Sequence, residues 1–233
     1  MTPHRSPLTL ARWLSGPTAA SPTHPAFMFD DGDLPPRLSN IGVVLRNGGL
    51  AQARARLTAG ARQVLLADAA LADPSVIRCA VAELGSARVG AWLPVKRMEV
   101  CWALDSQSNG DFKCMVPSNP QARWEVLSSD MQRTGIEASG WIEQLVLQGV
   151  STVLVSVDMQ DDRDLDLCAG LMERFAAQLW FSPLAIDDVD LTPWIEFGQV
   201  SRLVLPDNDA ADARAKHLLA RAGSSRRAAE LAL

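Results

Sequence analysis

The sequence predicts an α/β protein built as a barrel of parallel strands, on three observations. From about Ile41 onward, short β-branched or aliphatic runs alternate with longer segments of helical period. Six such strand–helix pairs follow one another, and alternation of this kind implies parallel βαβ units. Glycines stand where the helices must turn back toward the sheet. Six consecutive units favour an α/β barrel of the TIM type over an open sheet, although periodicity by itself leaves both available.

Residues 1–40 come before the regular pattern. Half of the fourteen prolines fall in residues 1–36, a stretch also rich in Ser and Thr, with two short apolar pieces, Leu8–Leu14 and Ala26–Phe29. This end is loop-rich. The core, 41–206, has candidate strands at Ile41–Leu45, Gln63–Ala67, Arg88–Leu93, Thr152–Val157, Gln178–Ser182 and Arg202–Leu205. Between them lie candidate helices at Leu50–Ala59, Ser75–Leu84, Glu137–Gln148, Leu165–Gln178 and Leu191–Phe197. Asp73-Pro74 marks the start of the second of these, because Asp accepts from the free amides of a first turn and Pro fits the first helical position. Gly60 and Gly149 allow the left-handed turn that ends a helix. Residues 98–128 break the pattern with three apolar pieces, Met98–Leu104, Phe112–Val116 and Trp124–Leu127, separated by SQSNG and PSNPQ turns. They predict a β-excursion between the strand at Arg88–Leu93 and its helix. Residues 207–233 read as a closing helix, Asp209–Ala222, and a short tail.

Composition narrows the function classes. A chain of 233 residues with 48% hydrophobic and 21% charged side chains is ordered and globular. No apolar run approaches the roughly 20 residues of a spanning helix, and residues 1–25 carry Pro, Ser and Thr where a signal peptide carries an apolar block. We therefore expect a soluble cytoplasmic protein with no membrane contact. Net charge −5 gives no general attraction to nucleic acid. Cys79, Cys101, Cys114 and Cys168 are far apart, with no C-x-x-C and only three histidines, so free thiols are expected and a structural zinc site is not. The acidic run Asp158, Asp161, Asp162, Asp164 and Asp166 lacks the alternating spacing of a calcium loop, and no metal is expected there.

The segment GVVLRNGGLAQARARLTAGARQVLLADAALADPSVIRCAVAELGSARVGAWLPVKR runs without gaps beside the pattern V-G-G-G-I-R-S…A-R-x-L-L-x-A-G-A-D-K-V-S-I-N-S/T-A-A-V…P, then F-G-S and V-A-I-D-A-K-R. In these residues the chain resembles the phosphoribosyl (βα)8 barrels of histidine biosynthesis, the HisA/HisF family. Within that family it is most similar to the cyclase subunit of imidazole-glycerol-phosphate synthase, through Trp124-Glu125-Val126, Thr134-Gly135, Trp141 and Ser156-Val157-Asp158. The resemblance spans roughly residues 41–206. It implies an eight-stranded TIM-type barrel whose first two βα units, here residues 1–40, are shortened or incomplete. It also implies a doubly phosphorylated substrate held by glycine-rich loops, acid–base work by aspartates ending the first and fifth strands, and ammonia delivered by a glutaminase partner.

Most of the positions that this chemistry needs have changed. The triple glycine falls on Val44, Leu45 and Arg46, with Asn47, Gly48 and Gly49 just beyond, so side chains fill space that a phosphate needs. The family's second cradle becomes Ser182-Pro183-Leu184, and Pro donates no amide. The fifth-strand acid is Pro94, which has no proton to exchange, with Lys96 and Arg97 beside it. Asp30, in Phe27-Met28-Phe29-Asp30-Asp31, ends either the first or the second strand. Asp158 keeps the sixth-strand position. At the base of the barrel, the family's charged gate reads Ala61-Arg62-Gln63 and Ser151 or Thr152, so a glutaminase partner is not expected.

These substitutions lead to one expectation and one alternative. The chain is expected to be a degenerate, non-catalytic relative of the cyclase subunit, without a cofactor, acting as a binding or structural subunit with a protein partner or a second copy of itself. The alternative is an active lyase or isomerase on a phosphorylated sugar with a rebuilt site using Asp30, Asp158 and the Lys96-Arg97 pair. Candidate anion-binding residues are Arg46, Asn47, Gly48, Gly49, Lys96, Arg97 and Ser182, each against a plain reading as turn, solvated loop or core. Trp92, Trp102 and Trp180 are expected to fill a barrel interior vacated by polar groups rather than to stack on a ligand.

Overall fold

The computed structural model describes residues 7–16, 25–31, 34, 38–98, 122–184, 189–206 and 213–220. Five strands come first: β1 (Thr9–Trp13), β2 (Ala26–Phe29), β3 (Ile41–Leu45), β4 (Gln63–Leu66) and β5 (Val89–Arg97). A hairpin of β6 (Trp124–Leu127) and β7 (Arg133–Glu137) follows, then β8 (Thr152–Ser156), β9 (Leu179–Ser182) and β10 (Arg202–Leu205). Eight of these, all but the hairpin, pair in parallel in the order β4-β3-β2-β1-β10-β9-β8-β5, and β4 also pairs with β5. The ring is closed, so this is a TIM-type α/β barrel and the open-sheet possibility is gone. The helices that return the chain are α1 (Leu50–Thr58), α2 (Asp68–Ala72), α3 (Ser75–Leu84), α4 (Ala138–Leu147), α5 (Asp162–Phe175) and α6 (Thr192–Glu196), with a further helix over 213–220.

The abbreviated N-terminal end supplies the two missing strands. β1 and β2 lie within the apolar pieces read from the sequence, and no helix follows either among the described residues. Asp30 thus ends the second strand, and the first strand ends on Trp13. Asp73 accepts from the Ser75 amide at 2.9 Å and from its hydroxyl at 2.8 Å, starting α3 as its sequence implies. Gly60 and Gly149 take φ of 98° and 91°, which only glycine adopts without strain.

Four elements differ from the sequence reading, the first being α2, a five-residue helix at Asp68–Ala72 that the sequence reading lacks. β5 runs through Pro94 to Arg97, beyond Leu93, because its far end leaves the barrel and pairs antiparallel with β6. β7 (RTGIE) has no apolar alternation and completes the excursion as the partner of β6. α5 begins at Asp162, three residues early, with Asp161 as its N-cap accepting from the amides of Arg163 and Asp164. The acidic run is therefore the start of a helix, where carboxylates oppose the positive end of its dipole. Of the excursion's apolar pieces, Trp124–Leu127 is β6; Phe112–Val116 and all but the first residue of Met98–Leu104 lie outside the described residues, as do Trp102 and Ser224–Leu233.

Burial divides into two layers. The larger cluster joins the outward faces of the strands to the helices, with Ile77, Ile142, Leu145 and Trp194 fully buried. The smaller one fills the barrel with one residue from each strand: Ala11, Phe27, Val44, Leu65, Trp92, Leu154, Trp180 and Val204. Burying such aromatic bodies is worth roughly 25 cal/mol per Å² of apolar surface, so this interior is a stabilising core. No helix among the described residues is long and apolar enough to cross a membrane.

Candidate functional site

In a barrel of parallel strands, chemistry belongs at the C-terminal ends, where the loops converge. Among the described residues, that end carries hydrophobic and internally bonded groups. Trp13 and Phe29, ending β1 and β2, stack at 4.7 Å with ring planes 9° apart, and Phe29 meets Trp92 edge-on at 4.9 Å. The Arg46 guanidinium lies 4.3 Å above the Phe29 ring and meets Asp31 at 3.2 Å. Arg46 is the residue after β3, and Asn47, Gly48 and Gly49 lead into α1, whose N-cap Gly49 carries no side-chain cap. That turn is tied down by its neighbours. The Asp68 amide donates to the Arg46 carbonyl at 2.9 Å, and the Asp68 carboxylate accepts from the Ser129 amide at 2.7 Å and hydroxyl at 2.6 Å. Asp68 thus anchors the β6–β7 turn over the third and fourth strands.

Ser182 is fully buried, and its hydroxyl is 2.7 Å from that of Ser156, which accepts from Trp92 Nε1 at 2.9 Å. Pro94 stands beside this chain, in register with Ser156. These hydroxyls satisfy one another and the indole, as buried polar groups must.

Lys96 and Arg97, adjacent in sequence, have opposite surroundings. Lys96 is exposed on the extension of β5, opposite Glu125. Arg97 is held by two carboxylates of α5: NH1 donates to Asp161 Oδ2 at 2.8 Å, and Nε to Asp164 Oδ1 at 3.1 Å. The hydrogen bond to Asp161 first, and the charges of both aspartates besides, keep Arg97 protonated well above its ordinary range. In return Arg97 holds the Asp161 carboxyl far below the usual range. Asp164, only 2% exposed, also accepts from Trp124 Nε1 at 2.8 Å and from the Gln160 amide at 2.9 Å. This cluster joins β5, β6 and α5.

The two candidate acids of the alternative reading lie apart. Asp30 turns toward α1, where its carboxylate meets Arg56 at 2.8 Å and accepts from Gln52. Asp158 follows β8 and accepts from the Leu184 amide at 3.1 Å. At the opposite end of the barrel, Thr152 donates to Gln63 Oε1 at 3.0 Å, both buried, and a side chain on Gly42 would strike the Phe27 ring at 2.8 Å. Among the described residues, no three His, Cys, Asp or Glu side chains are grouped to hold a metal ion.

No family model matches the chain, and no curated protein matches it at a significant level. What the structure shows is a TIM-type barrel. Sequence reasoning missed two structural ties there. Asp161 and Asp164 are 64 and 67 positions from Arg97, and Asp68 is 61 from Ser129. A legible trace did exist, since an acidic run just before a helical period is an N-cap signal.

Proposed function

We propose that this protein is a degenerate, non-catalytic relative of the cyclase subunit of imidazole-glycerol-phosphate synthase, working in the cytoplasm as a binding or structural subunit. The observation that carries the reading is the fifth-strand position. Pro94 replaces an acid there, and the groups that face it, Trp92, Ser156 and Ser182, bond to one another and offer nothing that would orient a reacting group. Arg97, the strongest anion-binding candidate by charge, is neutralised by Asp161 and Asp164. The base of the barrel supports the absence of a glutaminase partner, because Gln63 and Thr152 make a neutral, closed pair. Cys79 and Cys168 are free thiols, in keeping with a reducing compartment.

Calorimetry with the family's bis-phosphorylated phosphoribosyl substrate tests this. No saturable heat at millimolar ligand is expected. Micromolar binding would overturn the reading and promote an active lyase or isomerase centred on Asp30 or Asp158.

A further inference from the structure

A groove of about 550 Å³ lies outside the barrel, between Trp124 with the start of α4 on one side and one face of α5 on the other. Along α5 it is lined by Arg163, Asp166, Leu167, Gly170, Leu171 and Arg174. Their successive steps are three and one, so neighbours three and four apart line up as a stripe on the helix surface. Asp164, Cys168, Leu171, Met172 and Phe175 are buried, whereas Arg163, Asp166, Gly170 and Arg174 are exposed, so these four mark a second, outward face of α5 with Leu171 at its inner edge.

Gly170 sits mid-helix without a local reason. A glycine there costs roughly 1 kcal/mol relative to alanine. Its φ is not positive, it is exposed, and a Cβ placed on it would meet nothing within 4 Å. The chain's own packing does not require glycine at this point, whereas close approach of another backbone does.

We infer that two copies of this chain associate about a two-fold axis through Gly170, each α5 seating in the groove beside the other. The charges single out a second copy as the occupant. In an antiparallel pair of helices crossing at Gly170, residues four positions before and after it face each other, about 6 Å along the axis on either side. Asp166 then meets the partner's Arg174, and the same contact recurs by symmetry, as an isologous interface requires. Arg163 reaches past the end of the partner's α5, where a cation opposes the negative end of the dipole. Leu167, half-buried, supplies apolar contact beside the axis. Asp166 and the Arg163 side chain have no ion pair among the described residues, and Arg174, which meets Glu143 at 3.0 Å, has donors to spare for a second carboxylate. The inference does not depend on whether the barrel retains chemistry.

The test is the mass of the full chain in solution, by light scattering and sedimentation equilibrium across a micromolar range. The wild type is expected to be a dimer. Gly170→Ala should keep the fold, raise helix propensity and still weaken the dimer. Asp166→Arg should weaken it by about ten-fold or more, which is about 1.4 kcal/mol, with an unchanged far-UV spectrum. The swap Asp166→Arg with Arg174→Asp should restore association. A wild type that stays monomeric up to hundreds of micromolar would overturn the inference. So would a dimer indifferent to Gly170→Ala and Asp166→Arg, or a swap that recovers nothing.

Discussion

Replacing Arg97 with Met keeps its aliphatic stem and removes the guanidinium that joins β5 to α5. Asp164 would remain buried with only neutral donors, Trp124 Nε1 and the Gln160 amide. Breaking a buried ion pair costs about 3–5 kcal/mol, and since the Arg97 side chain is 27% exposed, water screens part of this, leaving roughly 2–3 kcal/mol. For a barrel of this size the thermal midpoint should fall by about 5–10 °C. Lys96→Met, at the exposed neighbouring position, should change stability by less than about 0.5 kcal/mol. Adding Asp164→Asn to Arg97→Met should recover about 1 kcal/mol, because a neutral amide no longer leaves an unpaired charge in the interior. Urea unfolding followed by circular dichroism, with thermal scans, reads all three variants against wild type. If Arg97→Met lies within about 0.5 kcal/mol of wild type, the cluster is a surface ornament and the reasoning fails.

Gly42→Ala should destabilise by about 1–3 kcal/mol in the same assay, because its Cβ would sit 2.8 Å from a Phe27 ring carbon that Trp13 and Trp180 hem in; a neutral result would mean the interior is loose. Burial pushes the Cys168 thiol far up from its ordinary range, so alkylation of the native protein near pH 8 should modify exposed Cys79 and spare Cys168, as peptide mapping would show. At Glu137, burial alone would raise the carboxyl, but the Gly140 and Ser139 donors lower it on balance, and Asp161 and Asp73 are lowered chiefly by Arg97 and Ser75 respectively. Folded values below the unfolded ones give stability that is present above about pH 4 and lost as pH falls further. The thermal midpoint should accordingly be flat from neutrality to about pH 5 and drop below it, more steeply in wild type than in Glu137→Gln.

Parts of the fold were legible because local and global preferences agree. β3 and β10 are short, mainly aliphatic runs (IGVVL and RLVL), and the predicted bounds Ile41–Leu45 and Arg202–Leu205 are those observed. α3 announces itself through Asp73-Pro74. β7 could not be read, since Arg133, Thr134 and Gly135 have no buried face and owe their strand to pairing with β6 alone. Pro94 concealed the length of β5, because proline argues against a central strand and its tolerance depends on where the ladder leaves the barrel. The candidate site was half legible. That Pro94 stands where the resemblance places an acid is a statement about one residue. That Ser182, Arg97 and Asp30 are each consumed by partners 22 to 67 positions away is set by barrel closure, which periodicity does not encode.

The central proposal, that the mouth of this barrel holds no working acid–base site, is tested most directly by ammonia-dependent turnover of the phosphoribosyl substrate of the cyclase that the sequence resembles, with wild type and Pro94→Asp assayed side by side. A carboxylate at position 94 would stand beside Trp92 and the engaged hydroxyls of Ser156 and Ser182, partly desolvated and facing a substrate that no glycine cradle holds. The account predicts no turnover in either and a lower thermal midpoint in the variant. Turnover by wild type would contradict it outright, and turnover by Pro94→Asp would show that everything but the acid had survived.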